Sequence, residues 1–301
     1  MMNSAITAVS LHKPDGMILS TGNIYFTSHD ALGAHVFRTA QTSGPGDETE
    51  LYREPPGNLF GDIVFAKVGG AFFGYFWTLD ENAGSSIKRI PLTGAQEAHV
   101  VTEPVNDIDI VNSYHNLVAD GVNLYWQQST SVNKIPISNG AVTSLDPCHA
   151  NTPTAGVHQQ GKTIVYASVN DVRFVPITGA VTTPQVRTIA TADTTVTAIL
   201  PVANGTYWGE RNGSIKLRTG SVTHTIQGSQ SGIPSAMTTN GHTAGGALAW
   251  MQSTSSGCEM RLKLHLSDIT VPVSDNALGT TMTSSGNVFW GDDSGVHRLA
   301  L

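Results

Sequence analysis

Residues 123–142 read NLYWQQSTSVNKIPISNGAV. An aromatic pair, Tyr125-Trp126, is followed by a polar turn, an alternating run and an Asn-Gly turn. Alternation marks a half-buried β-strand, and Asn-Gly marks a tight turn. Whether this is a lone strand pair or one copy of a repeat decides the fold. The tryptophans answer the question. The chain has five, and each occupies the same place in a similar stretch: Trp77, Trp126, Trp208, Trp250 and Trp290. Phe76, Tyr125, Tyr207 and Phe289 precede four of them, and Ala249 precedes the fifth. Tyr25-Phe26 and Val165-Tyr166 add two copies with smaller aromatics. The anchors at 26, 77, 126, 166, 208, 250 and 290 are 51, 49, 40, 42, 42 and 40 residues apart. A period near 40 built from short strands is the signature of a β-propeller blade.

The rest of each unit agrees. A turn glycine precedes the anchor, as in LVADGVNLYW and ILPVANGTYW, giving a first strand, a turn and a second strand. A third strand follows in HVFRTA, SIKRIPL, VNKIPI, VRFVPI, IKLR, MRLKL and VHRLAL. A fourth follows in TELYRE, AHVVTE, AVTSL, QVRTIA, VTHTIQ and ITVPVS. The seventh unit ends after its third strand, at Leu301. Its fourth is expected from the other end of the chain, AITAVSL at residues 5–11. Such closure removes two open sheet edges. The expectation is an all-β, seven-bladed propeller of four-stranded antiparallel blades, one domain over residues 1–301.

Composition sets bounds. Charged residues are 13 % of the chain, glycine numbers 31, and 40 % of residues are hydrophobic, a turn-rich globular composition. A net charge of −7 with no basic run argues against nucleic acid as a partner. The uncharged stretch around the aromatics from Val68 to Leu79 is 12 residues, too short to span a bilayer. The first residues, MMNSAITAVSLHKPDG, lack the pattern of a secretory signal, and the two cysteines, Cys148 and Cys258, fall on different sectors of the ring. No disulfide is expected, which tilts the reading towards the cytoplasm.

The aromatic-Trp dipeptide, the period and the KIPI-type strand resemble the YWTD propeller repeats of lipoprotein receptors. They resemble still more the seven-unit bacterial propellers related to virginiamycin B lyase. The lyase resemblance directs attention to a Glu-x-His pair that could hold a divalent ion and move a proton. The chain has Glu97-Ala98-His99. It falls on the expected fourth strand of blade 2, away from the central channel, so the lyase's catalytic residues are not carried over to it.

In a propeller, the loops between second and third strands and between successive blades open on one face, around the channel mouth. Function concentrates on such scaffolded loops. Here those loops are rich in Asp and Glu and poor in Lys and Arg, so an acidic mouth is expected, attracting a small polar or cationic ligand or a basic partner segment. Residues entering the first strands lie nearest the axis: Asp15, Asp62, Tyr114-His115-Asn116, Thr154, Thr197, Ser235 and Thr280. Of these, His115, Asp62 and Asp15 suit acid–base work, since histidine titrates near neutrality and a carboxylate can orient it. His149 and His158 complete a histidine-rich sector that could take a divalent cation with Asp62 or Asn112. Tyr114, Asn112, Asn116, His149, His158, Glu210 and Asp292 are the expected ligand-binding set. Three readings follow: a binding propeller; a lyase-, hydrolase- or cyclase-type enzyme at the same mouth; and a lectin. The loops do not repeat from blade to blade (QQSTS, ASVND, GERNGS, GDDSG), which places the lectin last.

Overall fold

The computed structural model describes residues 6–80, 84–92, 98–101, 117–128, 131–138, 140–146, 155–177, 186–240, 247–264, 268–273, 279–282 and 287–300. Among them, 28 strands form seven four-stranded antiparallel sheets. Six sheets are consecutive in sequence; blade 1, for example, runs Pro14–Ser20, Asn23–Asp30, Gly33–Ala40 and Thr49–Glu54. The seventh takes its outer strand, Ile6–Ser10, from the start of the chain, with Ile6 opposite Leu299 and Ser10 opposite Val296. Each blade's first strand lies against the first strand of the next, and Gly279–Met282 returns to Pro14–Ser20. The inner strands thus form a closed ring around a channel. The seven-bladed fold and the closure read from the sequence are those observed. No helix of the described residues is long and apolar enough to cross a membrane.

In five of the seven seams what separates the blades is a double aromatic layer; in the other two Val165 and Ala249 replace one of its members. On each second strand one residue faces the preceding blade and its neighbour faces the following one, because successive side chains alternate. The backward-facing row is Phe26, Phe76, Trp126, Tyr166, Trp208, Trp250 and Trp290, all buried. The register is the same in every blade: these residues stand opposite Met17, Ile63, Leu117, Val157, Ile199, Met237 and Thr280 of the first strands. This corrects the alignment of blade 2. Its anchor is Phe76, not Trp77. The pairing of Phe76 with Ile63, just inside the bulge at Gly61-Asp62, makes Phe76 the equivalent of the other anchors and leaves Trp77 one place on, turned towards blade 3. There its ring meets the Trp126 ring edge-on, with centroids 5.8 Å apart. Each such ring removes on the order of 150–250 Å² from water, so the seams between blades are the hydrophobic core.

A buried indole also needs a partner for its N–H. Trp208 Nε1 donates to Glu210 Oε1 at 3.0 Å, and Trp250 Nε1 to Gln252 Oε1 at 3.0 Å. Blade 7 has the shorter Asp292 at that place. Its carboxylate binds Ser294 and His297 instead, and the His297 ring stacks on Trp290. In blade 5 the third strand answers the Glu210 charge: Lys216 Nζ lies 3.0 Å from Glu210 and 2.7 Å from Asp193.

Two outcomes test this account. Val9 of the closing strand is fully buried against Phe26, Phe37, Phe289 and Val296. Val9→Ala should lower unfolding stability by about 2 kcal/mol, and deleting residues 1–12 should produce concentration-dependent association by light scattering, because the edge of Gly295–Leu299 is bared. Lys216→Met leaves the Glu210 carboxylate, 0 % exposed, without its cation; urea unfolding should show a loss of about 3–5 kcal/mol. The double variant Glu210→Gln, Lys216→Met should recover most of it.

Candidate functional site

The channel walls are aliphatic. Met17, Leu117, Val157, Ile199 and Met237, on five first strands, contribute to the lining of a cavity of about 240 Å³. Three polar residues interrupt this lining: Asp62, His158 and Ser235. The sequence reading placed Asp62 and His158 at one site, and both do line this cavity.

Bulges set the mouth. The register slips at Asp15 in blade 1, at Gly61-Asp62 in blade 2, at Thr197 in blade 5 and at Ser235 in blade 6. A bulge inserts one residue, bends the strand and re-aims a side chain. These are the positions expected nearest the axis, so the reason for their polarity is local: they leave the paired ladder at the rim. Blades 1 and 2 come closest there. A Cβ on Gly16 would sit 2.7 Å from the Asp62 Cα. Only glycine permits this approach. It brings the bulge bearing Asp15 against the one bearing Asp62, and the Thr27 hydroxyl, donating to Gly61 O at 2.7 Å, fixes the two blades together.

The two carboxylates differ. Asp62 is 7 % exposed and accepts from the amide of Ile63 at 3.0 Å and that of Leu117 at 3.4 Å. It therefore also ties blade 2 to the first strand of blade 3. Asp15 is 9 % exposed, and its Oδ2 lies 2.6 Å from His29 Nδ1. Burial pushes the Asp15 carboxyl up, against the opposing effects of His29 and Lys13. The hydrogen bond to Asp15 pushes the His29 imidazole up despite partial burial. The His29 side chain is 41 % exposed, so the pair presents a half-open imidazole held from behind by a buried carboxylate. His29 was not among the residues picked from the sequence. It closes the second strand of blade 1, in YFTSHD, and becomes the neighbour of Asp15 only because the bulge carries Asp15 outward between the Pro14–Ser28 and Gly16–Thr27 pairs.

Many of the carboxylates described on the expected acidic face have a basic side chain beside them. The loops hold the carboxylates, but the third strands hold the cations that meet them. Lys88 lies 2.5 Å from Glu54, Arg173 2.9 Å from Asp171 and Arg261 2.9 Å from Glu259. Lys13 meets Asp293 at 2.7 Å. His35 sits between Glu50 at 2.9 Å and Asp30 at 3.1 Å. A count of loop residues missed these cations because they stand across the strand pair, not in the loops. Glu210 and Asp292 lie within such blade-internal networks, buried at 0 % and 3 % exposure. The hydrogen bonds from His297 and Ser294 outweigh burial and hold the Asp292 carboxyl well below the usual range. Neither residue meets Asp62 or Asp15.

Tyr114, His115, Asn116, Asn112, His149 and Thr154 lie outside the described residues, as do Glu97 and Cys148. Cys258 is a free thiol. Among the described residues, no three His, Cys, Asp or Glu side chains gather as metal ligands would.

No family model matches the chain, and no curated protein matches it. Solved structures do. Virginiamycin B lyase from Staphylococcus aureus superposes with a TM-score of 0.73 at 12 % identity, covering 99 % of this chain and 100 % of that one. Raptor from Chaetomium thermophilum gives 0.71 at 11 % identity, covering 98 % of this chain and 28 % of that one. A nidogen/laminin complex gives 0.52 at 14 % identity over 76 % of this chain and 84 % of the other. At such identities the likeness is one of fold: this chain shares the seven-bladed architecture that the aromatic repeat announces.

Proposed function

We propose that the protein is a rigid binding propeller that receives a small polar or cationic ligand at the channel mouth, between Asp62 and the Asp15–His29 pair. The observation that carries this reading is asymmetry. Asp15 and Asp62 stand on the adjoining bulges of blades 1 and 2, in one sector of the ring, and Asp62 interrupts an otherwise aliphatic lining. An ammonium group at the rim with an apolar body in the channel fits that chemistry. From the sequence, Tyr114, Asn112, Asn116, His115 and His149 remain proposed contributors beside His158.

A second reading has its own observation. A buried carboxylate bonded to one nitrogen of a half-exposed imidazole is the arrangement of a general acid–base pair. In that reading, His29 moves the proton, Asp15 orients it, and the fold shared with virginiamycin B lyase makes an elimination or hydrolysis the first reactions to screen.

The test is a thermal-shift titration with choline and putrescine, then with divalent cations. A ligand at 100-fold over its Kd raises stability by about 2.7 kcal/mol. Asp62→Asn and His115→Ala should each remove the amine shift while the fold is kept; an unchanged shift in both sinks the mouth assignment. The pH dependence supplies a further check. Lys13, Asp15 and Asp30 are the charges that act on His29. Its raised pKa means that protonation of His29 favours the fold. That contribution is complete below the ordinary histidine range and is lost as pH rises through the raised value. The melting temperature of the wild type should fall across that window, and the fall should vanish in His29→Gln. Amine affinity should run the other way, rising as His29 gives up its proton.

A further inference from the structure

The seam between blades 4 and 5 departs from the repeat at four positions, and a cleft opens there. In blades 1, 2, 3 and 7, the residue before the anchor is aromatic and faces a basic residue across the strand pair: Tyr25–Arg38, Tyr75–Arg89, Tyr125–Lys134 and Phe289–Arg298. Three of these cations reach across the seam to a carbonyl of the next blade. Arg89 donates to Ile137 O at 3.4 Å, Lys134 to Ile177 O at 3.3 Å and Arg298 to Gln41 O at 3.0 Å. The Tyr75 hydroxyl reaches Ile137 O as well. Blades 5 and 6 keep no cation at this place, with Tyr207–Leu217 and Ala249–Leu262, and in blade 4 the pair is Val165–Phe174. The smaller Val165 and the uncharged Phe174 neither fill nor bridge the seam.

Blade 5 departs in the opposite sense. The pair facing back towards the preceding blade is aliphatic in blades 3, 4 and 7: Leu124–Ile135, Ile164–Val175 and Val288–Leu299. In blade 5 it is Thr206–Arg218. The seam that has lost its cation from one side therefore gains one from the other, and the two sides enclose about 440 Å³. Phe174 and Ile189 form an apolar wall, half-buried, and Thr163, Asn204, Thr206 and Arg218 supply the polar groups. The cleft is held in shape: Gln160 Nε2 bridges Val202 O at 2.6 Å and Gly205 O at 3.0 Å, and Arg218 Nε donates to Gly220 O at 3.0 Å.

The local charge agrees. From Val157 to Ser231 the chain has three carboxylates, Asp171, Asp193 and Glu210. All three are engaged at the channel-mouth end, with Arg173 or Lys216. Lys162 in the turn after the first strand of blade 4, Arg187 opposite Phe174, and Arg218 have no carboxylate partner among the described residues. This is a basic quarter on a protein of net charge −7.

We propose that this seam binds a small organic anion, with its carboxylate on the Arg218 guanidinium and its apolar face on Phe174 and Ile189. The volume is in the range of small-molecule sites. The guanidinium favours a planar two-oxygen acceptor over a point charge. The site is separate from the channel mouth and stands or falls apart from it.

Benzoate is the probe, titrated into the intact protein and followed by backbone amide NMR. Benzyl alcohol, of similar shape without charge, and inorganic phosphate, charged without an apolar face, are the comparisons. Benzoate should shift the amides of Phe174, Thr206 and Arg218 and bind about ten-fold more tightly than either comparison, the worth of one charge-assisted contact. Arg218→Gln should remove that advantage with the melting temperature kept. Phe174→Lys restores the residue type of Lys134 and should close the cleft, abolishing binding in a fully folded protein. Benzoate affinity unchanged in Arg218→Gln, shifts confined to the central channel, or benzyl alcohol or phosphate binding as well as benzoate would each overturn the proposal.

Discussion

Everything in this molecule depends on filling the wedge between one sheet and the next. Seven twisted sheets arranged about an axis diverge outward, and the space between them must be occupied or the ring collapses. The second strand solves this by alternation, one aromatic facing back and its neighbour facing forward, as at Trp126 and Tyr125. With the wedges filled, the first strands are free to carry functional groups, because the seams and not the channel hold the fold together. The bulges at Asp15 and Asp62 are tolerated on that account: they break a few ladder bonds at the rim of sheets stabilised elsewhere.

The same wedges govern charge. A third-strand residue opposite the anchor lies close to a carboxylate at the end of the second strand, two places back on its own strand, or at the end of the preceding blade. Lys88, Arg173, Lys216, Arg261 and His297 all stand at that place. Removed from water, each carboxylate needs a cation within reach, and the repeat delivers one.

The architecture was legible because it is periodic. Seven aromatic anchors 40 to 51 residues apart leave few alternatives, and the fourth strand of blade 7 was sought at the beginning of the chain. The one-residue slip at Trp77 was not legible: Phe76-Trp77 offers two adjacent aromatics, and only the pairing of Phe76 with Ile63 decides which faces which blade. The site was half legible. Asp15, Asp62, Thr197 and Ser235 followed from the polar residue entering each first strand. His29 did not, because its pairing with Asp15 depends on a bulge that leaves no mark in composition. The ion pairs escaped for a related reason: their partners are adjacent across a sheet and distant in sequence.

The closing strand has a kinetic consequence. Ile6–Ser10 pairs with Gly295–Leu299, so the last contact of the ring joins residues from opposite ends of the chain. Closing so long a loop carries an entropic cost that no local pairing repays beforehand. During synthesis the first strand must wait while six blades are made, and blade 1 waits with it, its Phe26 and Phe37 uncovered on the side that blade 7 will later occupy. The most non-local pairing of the molecule is thus the one that covers the edge of Gly295–Leu299.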